Sequence, residues 1–496
     1  MEENFFAPGM GGREKDGFDM GENKLTKKYG LLTAICMVVG IVIGSGVFFK
    51  AQNILEITGG DMPLGILAWV IGGVVMLICA LTFSTLATRY EKVNGLVDYA
   101  EAVIGPRYAY NIAWFSALIY LPAMTSVLSW VSARYTLALF GNNDITGGLC
   151  LALAGLYLCG SYALNSLSPR LAGKFQVSTT VIKLIPLLLM MVVGVIAGLI
   201  NGNTAEAFAT AGTAGRGGTS SPLFAAIVMT AFAYEGWIIA TSINAELHNA
   251  KRNLPLALVI GSIIVAGIYI LYYIGLTGAT TVPDLIENGS PAAFTALFGR
   301  IGGSIVNALI VISCLGTLNG LMLACTRGMF AIGARGQGPR PDVVREISPG
   351  TNMPTNSSVI AVFTCAVWLF YFYGANLCGT PLFGVFSFDS SELPIITIYA
   401  FYIPIFLKYA WKHGKEGIFR HAVMPILATL ASLFMIFAAL YAHGITPYRA
   451  AREAGEFSFP VLFYLIVFAV VMIAGQFFYR KDPVLQLSDV TEEDED

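Results

Sequence analysis

The sequence predicts an all-α polytopic membrane protein with about twelve transmembrane helices, since apolar runs of the length that crosses a bilayer recur throughout it. Two further observations agree. The 496-residue chain is 56% hydrophobic and only 12% charged, where a soluble domain carries about a quarter charged residues. Lys and Arg are also sorted to one side of the apolar runs. The formal net charge of −2 gives no pull toward nucleic acid. The bilayer is the expected surrounding, and no nucleic-acid partner is expected.

The apolar cores run over 31–56, 64–88, 108–140, 147–165, 175–200, 222–246, 256–281, 301–332, 357–374, 382–407, 422–443 and 457–479. Residues 1–28 are polar and Gly-rich. They lack a signal peptide's apolar core and small-residue cleavage site, so they read as a retained cytoplasmic tail. Residues 29–480 read as one transmembrane domain, with a first repeat at 29–200, a second at 222–407 and two additional helices at 422–480. Residues 481–496 end in "TEEDED", a solvated acidic tail. With the N-terminus inside, only Arg134, Arg216, Arg300, Arg449 and Arg452 fall outside, and Lys50, Lys183 and Arg327 fall within spans. All other Lys and Arg are then cytoplasmic, as are both termini.

The eight Cys are scattered, mostly in apolar runs, with neither a disulfide framework nor a paired metal spacing. They read as small hydrophobes at helix contacts. The four His (248, 413, 421 and 443) sit at span ends without metal-ligand spacing. No G-x-x-x-x-G-K-[ST] phosphate loop and no nucleophile–base constellation occurs, so neither an ATP site, a cofactor, a metal nor an enzyme is expected. An ion channel and a membrane-embedded enzyme stay as competing classes. A channel should show a continuous polar stripe or a repeated filter, whereas this chain shows two local helix breaks.

The first break is in "VGIVIGSGVFF" (Val39–Phe49), where Gly44, Ser45 and Gly46 interrupt an apolar run. The second is in "MTAFAYEGWIIATSINAEL", where Ala233, Tyr234, Glu235, Gly236 and Trp237 put a carboxylate and a glycine mid-span. They lie in the first and sixth spans, five helices apart. That spacing is expected of a five-plus-five inverted repeat whose first helices unwind at the bilayer midplane. An unwound segment frees N–H groups at the start of its second half and carbonyls at the end of its first. The N–H end suits a carboxylate and the carbonyls suit an ammonium. Two facing breaks would hold an α-amino acid by the atoms that all amino acids share. The bland alternative for Gly-Ser-Gly is close packing of small residues. Glu235 is either a hydrogen-bonded structural acid or a partner for a proton or a substrate amine.

Lys183, in "FQVSTTVIKLIPLLLMMV", lies nine residues into a fifth span that starts near Lys174. At 1.5 Å per residue that is roughly 14 Å deep, so its ammonium should face the interior and find carbonyl, hydroxyl or carboxylate partners. Asn319 in the eighth span reads as an interhelical hydrogen bonder or a secondary site residue. Glu392, with Asp389 at the outer end of the tenth span and just before Pro394, is an outer-vestibule charge or a plain loop end. Arg327 reads as an inner-gate or structural cation.

"GIVIGSGVFF", "FAYEGW…AELHNAKRNLPLAL" and "SCLGTLNGLMLACTRGMFAIGARGQGP" together resemble the amino acid–polyamine–organocation superfamily. Within it the chain is most similar to the L-type amino acid transporters and their bacterial relatives, over roughly residues 27–345. The resemblance implies a leucine-transporter-type fold and a sodium-independent amino acid carrier in the cell membrane. Alternating access is implied, with exchange as the first mode and proton-coupled uptake of an amino acid or amine as the second. It implies that Gly44, Ser45 and Gly46 offer amides to the substrate carboxylate. Val42 and Ile43, with Phe232, Ala233 and Glu235, offer carbonyls to its ammonium. Phe232 caps the site, and Lys183 takes the place of a sodium ion. Family members commonly carry Asp or Gly where this chain has Glu235. The mammalian L-type carriers join a glycoprotein through a Cys in the loop after the third span. The loop here, "FGNNDITGGLC", has none before Cys150, so no obligatory disulfide-linked partner is expected. The major facilitator architecture places G-x-x-x-D-R between its second and third spans, and "ATRYEKVNGLVDYAEAVIG" lacks it.

Overall fold

In hydrocarbon an unpaired peptide group costs several kcal/mol, so a spanning chain must satisfy its backbone within helices. The computed structural model describes residues 30–90, 95–142, 144, 146–209, 221–238, 247–411 and 417–481, and these are overwhelmingly helical. The expected N-terminal tail, and the acidic tail beyond Lys481, lie outside the described residues.

The first span is two helices, α1 (Leu31–Val42) and α2 (Gly46–Ile57). Then come α3 (Met62–Arg89), a short α4 (Leu96–Val103), α5 (Pro106–Leu139), α6 (Gly148–Leu167) and α7 (Pro169–Asn201). The second half runs through α8 (Ser221–Ala233), α9 (Ala250–Ala279), a short α10 (Val282–Asn288), α11 (Ser290–Ala334) and α12 (Thr355–Leu377). It closes with α13 (Leu393–Trp411), α14 (Phe419–Glu453) and α15 (Pro460–Gln476). Nine of these are long and apolar enough to cross a membrane, among the described residues. Three apolar helices are shorter, and two of those lie where the sequence predicts interruption: Leu31–Gly40 and Pro222–Ala233.

Several boundaries differ from expectation. The tenth span begins at Leu393 rather than near residue 382. Pro381, a positive φ of 54° at Gly384 and the Asp389 carboxylate account for this. That carboxylate accepts from Ser391 N at 2.7 Å and Glu392 N at 3.2 Å, which caps the new helix. The fifth span starts earlier, at Pro169, so Lys183 lies about 21 Å along α7 rather than 14 Å. Between the fifth and sixth expected spans the chain forms a further short helix at Asn203–Ala209. The eleventh span runs on past residue 443 to Glu453, through a π turn at Tyr441–Ile445. Pro447 follows that turn and has no N–H to give, so the ladder must widen around it. A second π turn, Ser116–Tyr120, precedes Pro122 in α5 in the same way.

Packing sorts the helices into two groups. α1 packs on α9, α9 on α3 and α3 on α8, while α5, α6, α11 and α12 pack on one another. α7 lies against both α9 and α11, while α14 rests on α13, α3 and α8. Where α7 crosses α9 the backbones nearly touch. A Cβ at Gly275 would stand 2.2 Å from the Met190 carbonyl, and one at Gly194 would stand 2.6 Å from the Gly275 carbonyl. Small residues permit this approach, the usual basis of helix association in membranes. The substitution Gly275→Ala should therefore destabilise the detergent-solubilised protein by about 1–3 kcal/mol. The same change at Gly160, which has nothing within 4 Å, should leave the melting temperature unchanged or raise it.

Candidate functional site

The first site element follows from where α1 gives up its ladder. α1 ends at Val42, Ile43 is extended (φ −65°, ψ 101°), and the helix resumes only at Gly46. The carbonyls released by this break are met by specific donors. Val39 O still receives the Ile43 N–H at 2.9 Å. Gly40 O receives the Lys183 ammonium at 2.5 Å. Val42 O receives the Tyr269 hydroxyl at 3.2 Å. The start of α2 is different. No side chain caps it among the described residues, and its Phe48 N–H turns back to Ser45 O at 3.1 Å. The preceding amides lie at the positive end of the helix dipole. Ser45 is fully buried beside the Cys314 thiol.

The second element faces the first. α8 ends at Ala233, and Tyr234–Ile238 continue in turns, with Gly236 at φ 106°, a conformation that favours glycine. The far half of this interruption, 239–246, lies outside the described residues. Tyr269 OH is 3.1 Å from Ala233 O as well as 3.2 Å from Val42 O, so a single hydroxyl bridges the two broken ends. Gly46 abuts the end of α8 directly. A Cβ there would lie 3.0 Å from Ala233 Cα and 3.1 Å from Phe232 Cδ1. Any side chain at 46 would press on the end of α8, whereas a Cβ at Gly44 would make ordinary contact at 3.5 Å with Thr317.

The Glu235 carboxyl lies near the Tyr120 hydroxyl, on the π turn of α5, and the Gly236 N–H. Its Oε1 is buried and has no partner among the described residues. The Tyr234 and Trp237 side chains turn away from the break. Tyr234 OH donates to Trp69 O at 3.0 Å, and Trp237 packs on Phe83 and Tyr402 at 5.7 and 5.8 Å. Only their backbones border the gap.

These features accompany a family match. The amino acid permease family profile covers residues 29–472. The chain belongs to that family. It is 31% identical over 426 residues to the serine/threonine exchanger SteT of Bacillus subtilis, covering 84% of this chain and 91% of the relative. The human cystine/glutamate transporter is 26% identical over 440 residues, with 88% and 84% covered. The human b(0,+)-type amino acid transporter 1 is 26% identical over 473 residues, with 89% and 86% covered. Among solved structures, MhsT in complex with L-phenylalanine superposes with a TM-score of 0.54 at 13% identity, covering 83% of this chain and 98% of that one. The permease is thus a multi-pass transport protein of the leucine-transporter-type fold and not an enzyme.

Sequence reasoning missed part of the permease's site. Tyr269 carried no signal among the neighbouring tyrosines of α9. Lys50 read as one more in-span cation, yet it is buried and donates to Glu392 Oε1 at 2.5 Å. Its ammonium also lies 5.3 Å from the ring centroids of Phe49 and Phe232. Glu392 does end the loop before α13, but it is no exposed charge; it is 1% exposed. Its Oε2 lies 2.9 Å from His443 Nε2. Further along α2, Gln52 donates to Ile286 O at 2.9 Å and accepts from Arg134 at 2.5 Å. Asp389, Glu392 and His443 form the one grouping of three metal-type donors among the described residues. Lys50 already supplies the cation there, and no metal is assigned.

Asn319 is placed away from the breaks. It accepts from Asn165 at 2.9 Å and donates to Gln176 at 3.1 Å, joining α6, α7 and α11. Arg327 is exposed. The inner end of α11 is held instead by Arg335, 2.5 Å from Asp98 on α4. Removing one partner of a buried pair strands the other charge. Lys50→Met should therefore destabilise the permease by about 3 kcal/mol or more, and Lys50→Met with Glu392→Gln should recover much of the loss. Thermal melts of the four proteins of this cycle provide the check.

Proposed function

We propose that this chain is a sodium-independent carrier of α-amino acids that works by alternating access, with exchange as its mode. One observation carries the reading: the uncapped start of α2 confronts the open end of α8, with Tyr269 holding the two in register. The amides at Ser45 and Gly46, beside Gly44, bind the substrate carboxylate. Carbonyls of Val42, Ile43, Phe232, Ala233 and Glu235 bind its ammonium. Phe232, with Lys50 over its face, closes the site toward the outer side, the side on which α2 ends. Lys183 supplies a fixed positive charge against α1, the role that sodium has in coupled relatives of this fold. This removes a sodium requirement. The relatives' names, an exchanger among them, support amino acid exchange. The protein resides in the cell membrane with both termini cytoplasmic. It works without a disulfide-linked partner, since Cys150 is buried within α6.

A second reading, proton-coupled uptake, is favoured by the partnerless, buried Oε1 of Glu235. A carboxyl so placed suits a proton carrier or the amine of a cationic substrate. The two readings separate in proteoliposomes. Exchange needs an internal amino acid and ignores a pH gradient, whereas proton coupling needs the gradient and is lost in Glu235→Gln.

The primary test is a thermal-shift screen of the purified protein with the twenty amino acids, with and without sodium. At least one should raise the melting temperature equally in both, and that compound should show saturable counterflow. No shift with any amino acid would overturn the reading. Gly46→Leu should abolish binding while the protein still inserts, because the new side chain collides with the end of α8. Lys183→Ala should lower the exchange rate at least tenfold, about 1.4 kcal/mol in the limiting barrier, at undiminished expression.

A further inference from the structure

We propose that His443 is the positioning residue that sets how readily the outer closure opens: as Lys50 leaves, a protonated His443 keeps Glu392 paired, so acid on the outer face speeds opening. This rests on the alternating-access reading above.

Three elements meet at one carboxylate. Lys50 comes from α2, Glu392 sits one residue ahead of α13, and His443 lies on the π turn of α14. The Lys50 and Glu392 side chains are 3% and 1% exposed. Because the Lys50 ammonium also lies against Phe49 and Phe232, the same contact pins α2 over the site. Opening the outer side lifts α2 away and must break this pair. A buried carboxylate stripped of its cation is strongly disfavoured, and that penalty is the barrier to opening. His443 alters it. A neutral imidazole offers Glu392 a hydrogen bond but no charge, whereas an imidazolium offers both. With His443 protonated, Glu392 keeps one cationic partner after Lys50 departs. With His443 neutral, it does not.

The surroundings leave this role to His443. The other nearby acid, Asp389, spends Oδ1 on Ser391 N, Ser391 Oγ and Glu392 N. α8 carries no ionisable side chain, and α15 carries only Tyr464, whose hydroxyl meets Thr397. α3 offers Cys79, which faces Ser432 lower on α14, and beyond it Arg89 at the far end of the helix. α13 carries Tyr399, Tyr402 and Tyr409, with Lys408 in its last turn, away from Glu392. On α14 itself, Tyr441 packs against Phe224, while Tyr448, Arg449, Arg452 and Glu453 are exposed beyond the π turn. The His443 side chain is 17% exposed against 1% for Glu392, so the imidazole is the less enclosed of the two. π turns of this kind occur often at functional positions.

The test separates opening from transport. Ser45→Cys places a thiol beneath the closure. Its labelling by a membrane-impermeant maleimide added outside intact cells reports opening even if no substrate is known. Rates are compared with His443 intact and with His443→Gln, at about pH 5.5 and about pH 7.5, either side of the ordinary imidazole range. The Ser45 parent serves as background for the native cysteines, and the ratio between the two backgrounds cancels the pH dependence of thiol chemistry. We expect the protein with His443 to label severalfold faster than His443→Gln at the acid pH and at a similar rate at the higher one. An equal ratio at both pH values overturns the proposal. Should His443→Gln fail to accumulate, Glu392→Gln with His443 intact replaces it. Fast opening with no acid response beyond thiol chemistry supports the proposal, and a retained acid response overturns it. Failure of counterflow with every amino acid would count against the proposed function alone, since labelling does not depend on it.

Discussion

Everything at the centre of this protein depends on bringing two helix ends together in an apolar interior without stranding their peptide groups. Each unsatisfied group there costs several kcal/mol. The fold meets that cost with donors from outside the broken helices. Tyr269 is the central one, and its ring is fixed by neighbours. Trp69 and Tyr234 lie 5.5 and 5.2 Å from it, and Tyr273 packs on the far side of Trp69 at 6.4 Å. Aromatic packing between α3, α8 and α9 thus aims one hydroxyl at two carbonyls. Among the described residues, the start of α2 has no such side-chain cap.

The two packing groups give this arrangement a mechanical sense. α1, α8 and α9 belong to one group, and the tyrosine of α9 bridges the facing ends of the other two. The Asn165–Asn319–Gln176 network ties α6 and α11 to α7 on the other side. The first group also packs broadly on α7 and α14, but the polar ties around the break are few and discrete: Lys183 to Gly40, Lys50 to Glu392, Gln52 to Arg134. These are discrete pairs, made or unmade, and suit switching between two states better than a broad apolar seam does.

The sequence made the spans legible because hydrocarbon demands length and apolarity, and both are local properties. The breaks were legible for the same reason, since Gly-Ser-Gly and Glu-Gly stand out within apolar runs. Lys183 was legible because a cation at that depth needs a partner. The rest depends on distance in sequence. Glu392 and His443 are 51 positions apart, and Lys50 and Glu392 are 342 apart. Lys50 follows the first break so closely that it read as part of the span. Tyr269 is one of several tyrosines on an apolar helix, and only the fold tells it from the others. The tenth boundary was misplaced because "PLFGVF" is apolar enough to resemble membrane helix, while its proline and a positive-φ glycine hold it in turns.

The last consequence concerns α7. Its regular winding lapses at Lys183, three residues before Pro186, which cannot donate to the carbonyl of Ile182. The ladder is therefore one bond short there, and the ammonium that meets Gly40 is mounted at that weak point of the rod. Any tug from α1 arrives where the rod bends most cheaply, so tilting one half need not drag the other. A lysine one turn away would transmit the same force to an unyielding column.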